Sequence, residues 1–83
     1  MSTEILIIDD NSDIRLILNE LISEAGYKTR LAANYNQALT EIDKKLPDVA
    51  IIDVKLDKGD NDGIELLSHI KKKNKDIPVI IIS

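Results

Sequence analysis

Three short apolar runs in this chain end on oxygen-bearing side chains. Ile5-Leu6-Ile7-Ile8 leads into Asp9-Asp10, Val49-Ala50-Ile51-Ile52 into Asp53, and Val79-Ile80-Ile81-Ile82 into Ser83. Runs of this length between polar residues read as strands buried on both faces. One Asp after such a strand is ordinary loop. Three strands delivering oxygen at the same end make a ligand site, because open parallel α/β sheets bind ligands at the carboxyl ends of their strands. Three carboxylates crowded there repel one another, so the arrangement calls for a cation or a raised pKa. Oxygen ligands without His or Cys select a hard ion, and an incomplete carboxylate set suits Mg²⁺, which keeps several waters. A carboxylate beside Mg²⁺ can attack phosphorus to give an aspartyl phosphate, with the metal offsetting phosphoryl charge. Ser83 stands where it could donate a hydrogen bond to a phosphoryl oxygen.

The elements that must hold these groups alternate along the chain. Residues 4–9 form a first strand, and Asn11 or Ser12 caps a helix running to Ala25, with Gly26 as its stop. Ile14, Ile17, Leu18, Leu21, Ile22 and Ala25 make its apolar stripe, and Leu16 falls opposite, towards solvent. Residues 28–32 are a weaker strand whose Lys28, Thr29 and Arg30 suit an edge. Asn34 and Gln37 resemble a capping box opening a helix to about Lys45, with Tyr35, Ala38, Leu39 and Ile42 inward. The strand at 49–53, a polar loop from Lys55 to Asp62 and a third helix from Gly63 to about Lys73 follow. The third helix carries an Ile64/Leu67/Ile70 stripe, and Pro78 opens the last strand over 78–82. The result is βαβαβαβ, a parallel sheet with right-handed crossovers. With 28–32 outermost, the strand order is 2-1-3-4, and Asp9, Asp10 and Asp53 meet at the switch point.

Composition narrows the classes. Eighty-three residues make one domain, 1–83, near the lower size limit for an independent core. Hydrophobic content of 43% and charged content of 31% mark a globular chain with an aliphatic core, since the aromatics are two tyrosines. A net charge of −4 argues against direct nucleic-acid binding by this segment. The absence of cysteine excludes disulfides and thiolate metal sites, and no apolar run approaches a membrane span. With no signal peptide at the start, a cytoplasmic location is expected.

The segments ILIIDD at 5–10, VAIID at 49–53, DGIELL at 62–67 and PVIIIS at 78–83 resemble the response-regulator receiver domain of bacterial two-component signalling. That resemblance spans the chain and implies a flavodoxin-like (CheY-like) fold. It implies that the chain is a phosphoacceptor switch rather than an enzyme, with Asp53 as phosphoacceptor and Mg²⁺ bound by Asp10 and Asp53. Asp9 would act through water, the backbone carbonyl of Lys55 would complete the protein ligands, and Ser83 would be the switch hydroxyl. Asn11, Ile14, Leu16 and Ile17 lie where such domains dock a histidine kinase or phosphotransfer protein. A non-phosphorylated receiver-like interaction module is the competing reading, and retention of Asp9, Asp10, Asp53 and Ser83 favours phosphorylation.

The chain departs from the usual receiver in two ways. The places four and eight residues after the acceptor, usually Pro and Gly, hold Asp57 and Asn61, and Gly63 stands ten after it. A loop two residues longer looks like the nitrogen-regulation NtrX type, whose receivers often drive a transcriptional output. Complete receivers also carry a fifth strand and two more helices, so the chain is expected to be the N-terminal part of a longer regulator. It lacks the Lys that normally pairs with the phosphoryl group and should accept phosphate poorly. Its 78–82 strand is an open aliphatic edge, so self-association is expected, by edge pairing through 78–82 or by face packing around the 12–25 helix, with Ile51, Val79 and Ile81, or their alternates, facing water. Among other motifs, Asp60-Asn61-Asp62-Gly63 echoes an EF-hand, but Lys58 and His69 stand at ligand places. An aspartyl phosphatase would want Asp-x-Asp, and here the pair is adjacent. His69 and the Lys71-Lys72-Lys73/Lys75 patch read as solvated helix surface, the lysines complementing the helix dipole.

Overall fold

Each apolar run becomes a parallel strand and each 3.6-period stripe a helix. The computed structural model describes residues 3–54, 56 and 62–82. In chain order these are β1 (Glu4–Ile8), α1 (Ser12–Glu24), β2 (Lys28–Ala32), α2 (Tyr35–Lys44), β3 (Val49–Asp53), α3 (Asp62–Lys73) and β4 (Val79–Ile82). The sheet is parallel in the order β2-β1-β3-β4, as the alternation of elements predicts. β1 stops at Ile8, one residue before the expected end, and leaves Asp9 beyond the ladder.

Strand alternation sorts the core into two faces. Leu6, Ile8, Ala50 and Ile52 pack with Ala38 and Ile42 of α2 and Leu66 and Ile70 of α3. Ile5, Ile7 and Ile51 point the other way, under Leu18 and Ile22 of α1. Among the described residues, two helices therefore cover one face and one helix the other.

That asymmetry corrects the expected stripe of α1. Only Leu18 and Ile22 pack on the sheet, whereas Ile14, Ile17 and Leu21 are exposed and Ala25 is open to solvent. A helix lying alone on a sheet touches it along one i, i+4 row, so a six-residue stripe is wider than its contact. Leu16 is exposed, as expected. Ile51 is buried beneath α1, and the β4 side chains that face water are Ile80 and Ile81, with Val79 half-buried. On α3 the inward row is Gly63, Leu66 and Ile70, while Ile64 faces out and Leu67 is half-buried. The helix is turned by the close approach of Gly63 to the end of β3, described below.

The helix ends follow their residues. Asn11 Oδ1 accepts from the N–H groups of Asp13 and Ile14 at 2.9 and 3.1 Å, capping α1. Past its other end Gly26 adopts φ +97°, and the Gly26 and Tyr27 amides donate to the Ser23 and Ile22 carbonyls. That is the Schellman pattern, which needs the left-handed residue glycine supplies. At α2, Asn34 Oδ1 accepts from the Gln37 amide at 2.8 Å, but the Gln37 side chain accepts from Ala33, one residue earlier than a reciprocal box requires.

Polar groups also tie the elements together. Arg30 on edge strand β2 donates to the Glu41 side chain and backbone and to the Lys45 carbonyl, and lies 2.9 Å from Glu4. His69 is more than solvated surface: its Nε2 lies 3.1 Å from Asp43 on α2, and Lys73 Nζ reaches the same oxygen at 3.3 Å. Those two groups, His69 first, hold the Asp43 carboxyl below its ordinary range. Lys71 is likewise withdrawn from the basic patch, donating to the Ile77 and Lys75 carbonyls across the turn into β4. Tyr35 faces Glu65 between α2 and α3; burial, then the charge and hydrogen bond of Glu65, push its hydroxyl pKa up.

Candidate functional site

The carboxyl ends of β1 and β3 lie side by side, with Ile8 opposite Ile52 in the ladder. The next residues along each strand are therefore Asp9 and Asp53, and Asp10 follows at once. Carboxylate oxygens of Asp9, Asp10 and Asp53 all lie within 4.8 Å of one another. They line an open cavity of about 310 Å³ together with Asn11, Ile14 and Ile82.

The three acids have different surroundings. Asp9 is only 3% exposed, and its Oδ1 accepts from the Asn11 amide at 2.9 Å. Its own amide donates to Ala32 O at 3.2 Å, and its carbonyl accepts from Arg15 Nη1 at 2.6 Å. Asp10 is exposed and Asp53 half-buried. Thus one carboxylate is fixed in the protein and two face the opening.

Asp53 is placed by its neighbours on both sides. The Val54 amide donates to Ile82 O at 2.9 Å, pairing the end of β3 with β4. The Gly63 amide donates to Val54 O at 3.2 Å and draws the start of α3 against the same turn. The loop spacing singles out Gly63 but not this contact, and Arg15 stands outside the sequence motifs. The signal for Arg15 was its place in the first turn of α1, since helical side chains lean back towards the N-terminus.

Of the expected docking residues, Asn11 and Ile14 line the cavity, whereas Leu16 and Ile17 are exposed on α1 without lining it. Lys55, Ser83, Asp57 and Asn61 lie outside the described residues. The donor set fits a hard divalent ion: three carboxylates supply only oxygen, and at least one of them is open to incoming ligands.

Residues 5–83 match the family of response regulator receiver domains. The chain is 42% identical over 83 residues to sporulation initiation phosphotransferase F of Bacillus subtilis, covering all of this chain and 65% of that protein. It is 36% identical over 83 residues to the nitrogen assimilation regulatory protein NtrX of Azorhizobium caulinodans, covering 18% of it. The crystal structure of a CheY-like receiver domain protein from Methanospirillum hungatei superposes with a TM-score of 0.90 at 27% identity, over 98% of this chain and 63% of that one. The chain thus spans just under two thirds of one curated relative and under a fifth of the other.

Proposed function

Because this chain belongs to the response regulator receiver family, we propose that it is a phosphoacceptor switch of a two-component pathway, with Asp53 as the acceptor. The convergence of Asp9, Asp10 and Asp53 within 4.8 Å at the carboxyl ends of β1 and β3 carries this reading. An Asp53 carboxylate oxygen attacks the phosphorus of a partner's phosphohistidine. The O–P bond forms as the P–N bond breaks, and the imidazole nitrogen leaves with the electron pair. Half-burial of Asp53 leaves it reachable by a donor while its strand-end position fixes its direction.

Asp10 and Asp53 would hold Mg²⁺ directly, Asp9 through water, and the Lys55 carbonyl would complete the set. When bound, Mg²⁺ supplies positive charge against the phosphoryl oxygens. Ser83 donates a hydrogen bond to the phosphoryl group. The partner is a histidine kinase or histidine phosphotransfer protein, docking over Asn11, Ile14, Leu16 and Ile17. The protein works in the cytoplasm, as a switch more than as an enzyme, and among the described residues no helix is long and apolar enough to cross a membrane. Similarity to the transcriptional regulatory protein ZraR of Klebsiella oxytoca, at 38% identity over 80 residues, supports a transcriptional output, and the 83-residue chain self-associates through its open edge or around the α1 face.

Mg²⁺-dependent incorporation of phosphate from a small phosphodonor, measured by intact mass on the protein at its full natural length, tests the reading. Incorporation should vanish in Asp53→Asn. If that variant still takes up phosphate, the acceptor is misassigned; if the unmutated protein takes up none, the interaction-module reading replaces this one. Identity to a phosphotransferase supports a second reading, in which Asp53 hands the group on to another histidine. Return of label from Asp53 to a histidine phosphotransfer protein distinguishes the two.

A further inference from the structure

We infer that Arg15 is a positioning residue for the acidic site, acting through the peptide between Asp9 and Asp10. The inference rests on the Mg²⁺ reading proposed above.

Arg15 stands in the first turn of α1, where its amide donates to Asn11 O at 3.0 Å. Its side chain leans back over that turn, and Nη1 donates to the main-chain oxygen of Asp9 at 2.6 Å. β1 has already ended at Ile8, so this carbonyl lies beyond the strand. A peptide unit is planar. Fixing the direction of Asp9 C=O therefore also places the amide and Cα of Asp10, so the Asp10 side chain swings only about its own φ and χ from an anchored Cα. The Asp9 side is held independently, by the Asn11 amide on its carboxylate and by its own amide on Ala32 O. Among the described contacts of the Asp9–Asp10 peptide, the guanidinium is the one that arrives from the helix, so it couples the orientation of an exposed carboxylate to α1.

Simple electrostatics predicts the opposite effect from positioning. A guanidinium beside a cation site repels the cation, so by charge alone its removal would tighten Mg²⁺ binding. If the guanidinium aims Asp10, its removal loosens binding, and partners of metal ligands typically contribute 10–100-fold in affinity. The two accounts therefore differ in sign.

Mg²⁺ titration by calorimetry on the chain and its Arg15→Ala and Arg15→Lys variants decides between them. We expect roughly tenfold or greater weakening in Arg15→Ala and partial recovery in Arg15→Lys, which keeps one donor for the carbonyl. Without metal, the Asp9 carbonyl ¹³C resonance should shift in Arg15→Ala while the helical circular dichroism signal persists. Unchanged or tighter Mg²⁺ binding by folded Arg15→Ala overturns the inference and leaves the site reading intact. Failure of the unmutated chain to bind Mg²⁺ overturns both.

Discussion

A β-carbon placed on Gly63 would stand 2.6 Å from the backbone oxygen of Asp53. It would also stand 2.6 Å from the Cα of Val54, so both neighbours are backbone and cannot swing aside. The start of α3 thus rests directly on the turn that presents the proposed acceptor. Gly63→Ala must push α3 away or bend the end of β3. Overpacking of this kind costs about 1–3 kcal/mol, and urea denaturation should show a loss of that size. Phosphate uptake should fall too, because the displaced atoms adjoin Asp53.

Asp10 is the most exposed of the three converging acids, and its replacement tests the metal site most directly. Asp10→Ala should abolish Mg²⁺ binding in a calorimetric titration. Asp57→Ala and Asp60→Ala, in the loop after β3, should leave it nearly unchanged. If the loop acids prove to be the ligands, the crevice is wrongly assigned.

The strands, their order and the meeting of Asp9, Asp10 and Asp53 were legible because four-residue aliphatic runs and parallel topology leave few alternatives. The inward faces of α1 and α3 were less so. Periodicity gives the width of an apolar stripe, but which row meets the sheet depends on what lies beside the helix. Ile17 and Leu21 stay exposed on a helix that covers its face alone, and Ile64 turns outward because Gly63 sets the rotation of α3. Polar cross-links were the least legible. Nothing in sequence spacing joins Asp43 to His69, and the place of Arg15 in the first turn of α1 points it back along the chain without singling out the Asp9 carbonyl.

The Asp43 link has a pH signature. His69 and then Lys73 lower the carboxyl pKa in the folded chain relative to the ordinary 3.8. The folded state therefore binds fewer protons than the unfolded one between those values. The contribution is complete above about 3.8 and is lost as pH falls through the folded value. Below pH 4, thermal stability of the unmutated chain should drop more steeply than that of Asp43→Asn. Parallel acid limbs in the two melting curves would show that the link adds nothing.

Ile14 is exposed, yet it lines the cavity that holds the three acids. An apolar side chain there serves a protein donor better than a small one. Ile14→Ala should slow phosphotransfer from a partner phosphohistidine and leave uptake from a small phosphodonor unchanged. Equal slowing of both would indicate a folding defect and remove Ile14 from the docking surface.

β4 pairs with β3 on one side, and among the described residues nothing pairs with its other side. Its residues, Val79 to Ile82, carry no charge, and Ile80 is half exposed at 51%. An uncharged aliphatic edge of this kind is a template for another strand. On the α1 side of the sheet, Ile17 and Leu21 add exposed apolar surface to that of Ile80. Each such side chain is about half exposed and so forgoes roughly half of the ~1.5–3 kcal/mol that full burial contributes, and a second copy of the chain offers matching edge and face. Sedimentation of the 83-residue chain across a dilution series should therefore show reversible self-association. Ile80→Lys should shift it towards monomer, because a charge on an open edge opposes strand addition. A compact monomer that unfolds cooperatively at micromolar concentration would sink the idea.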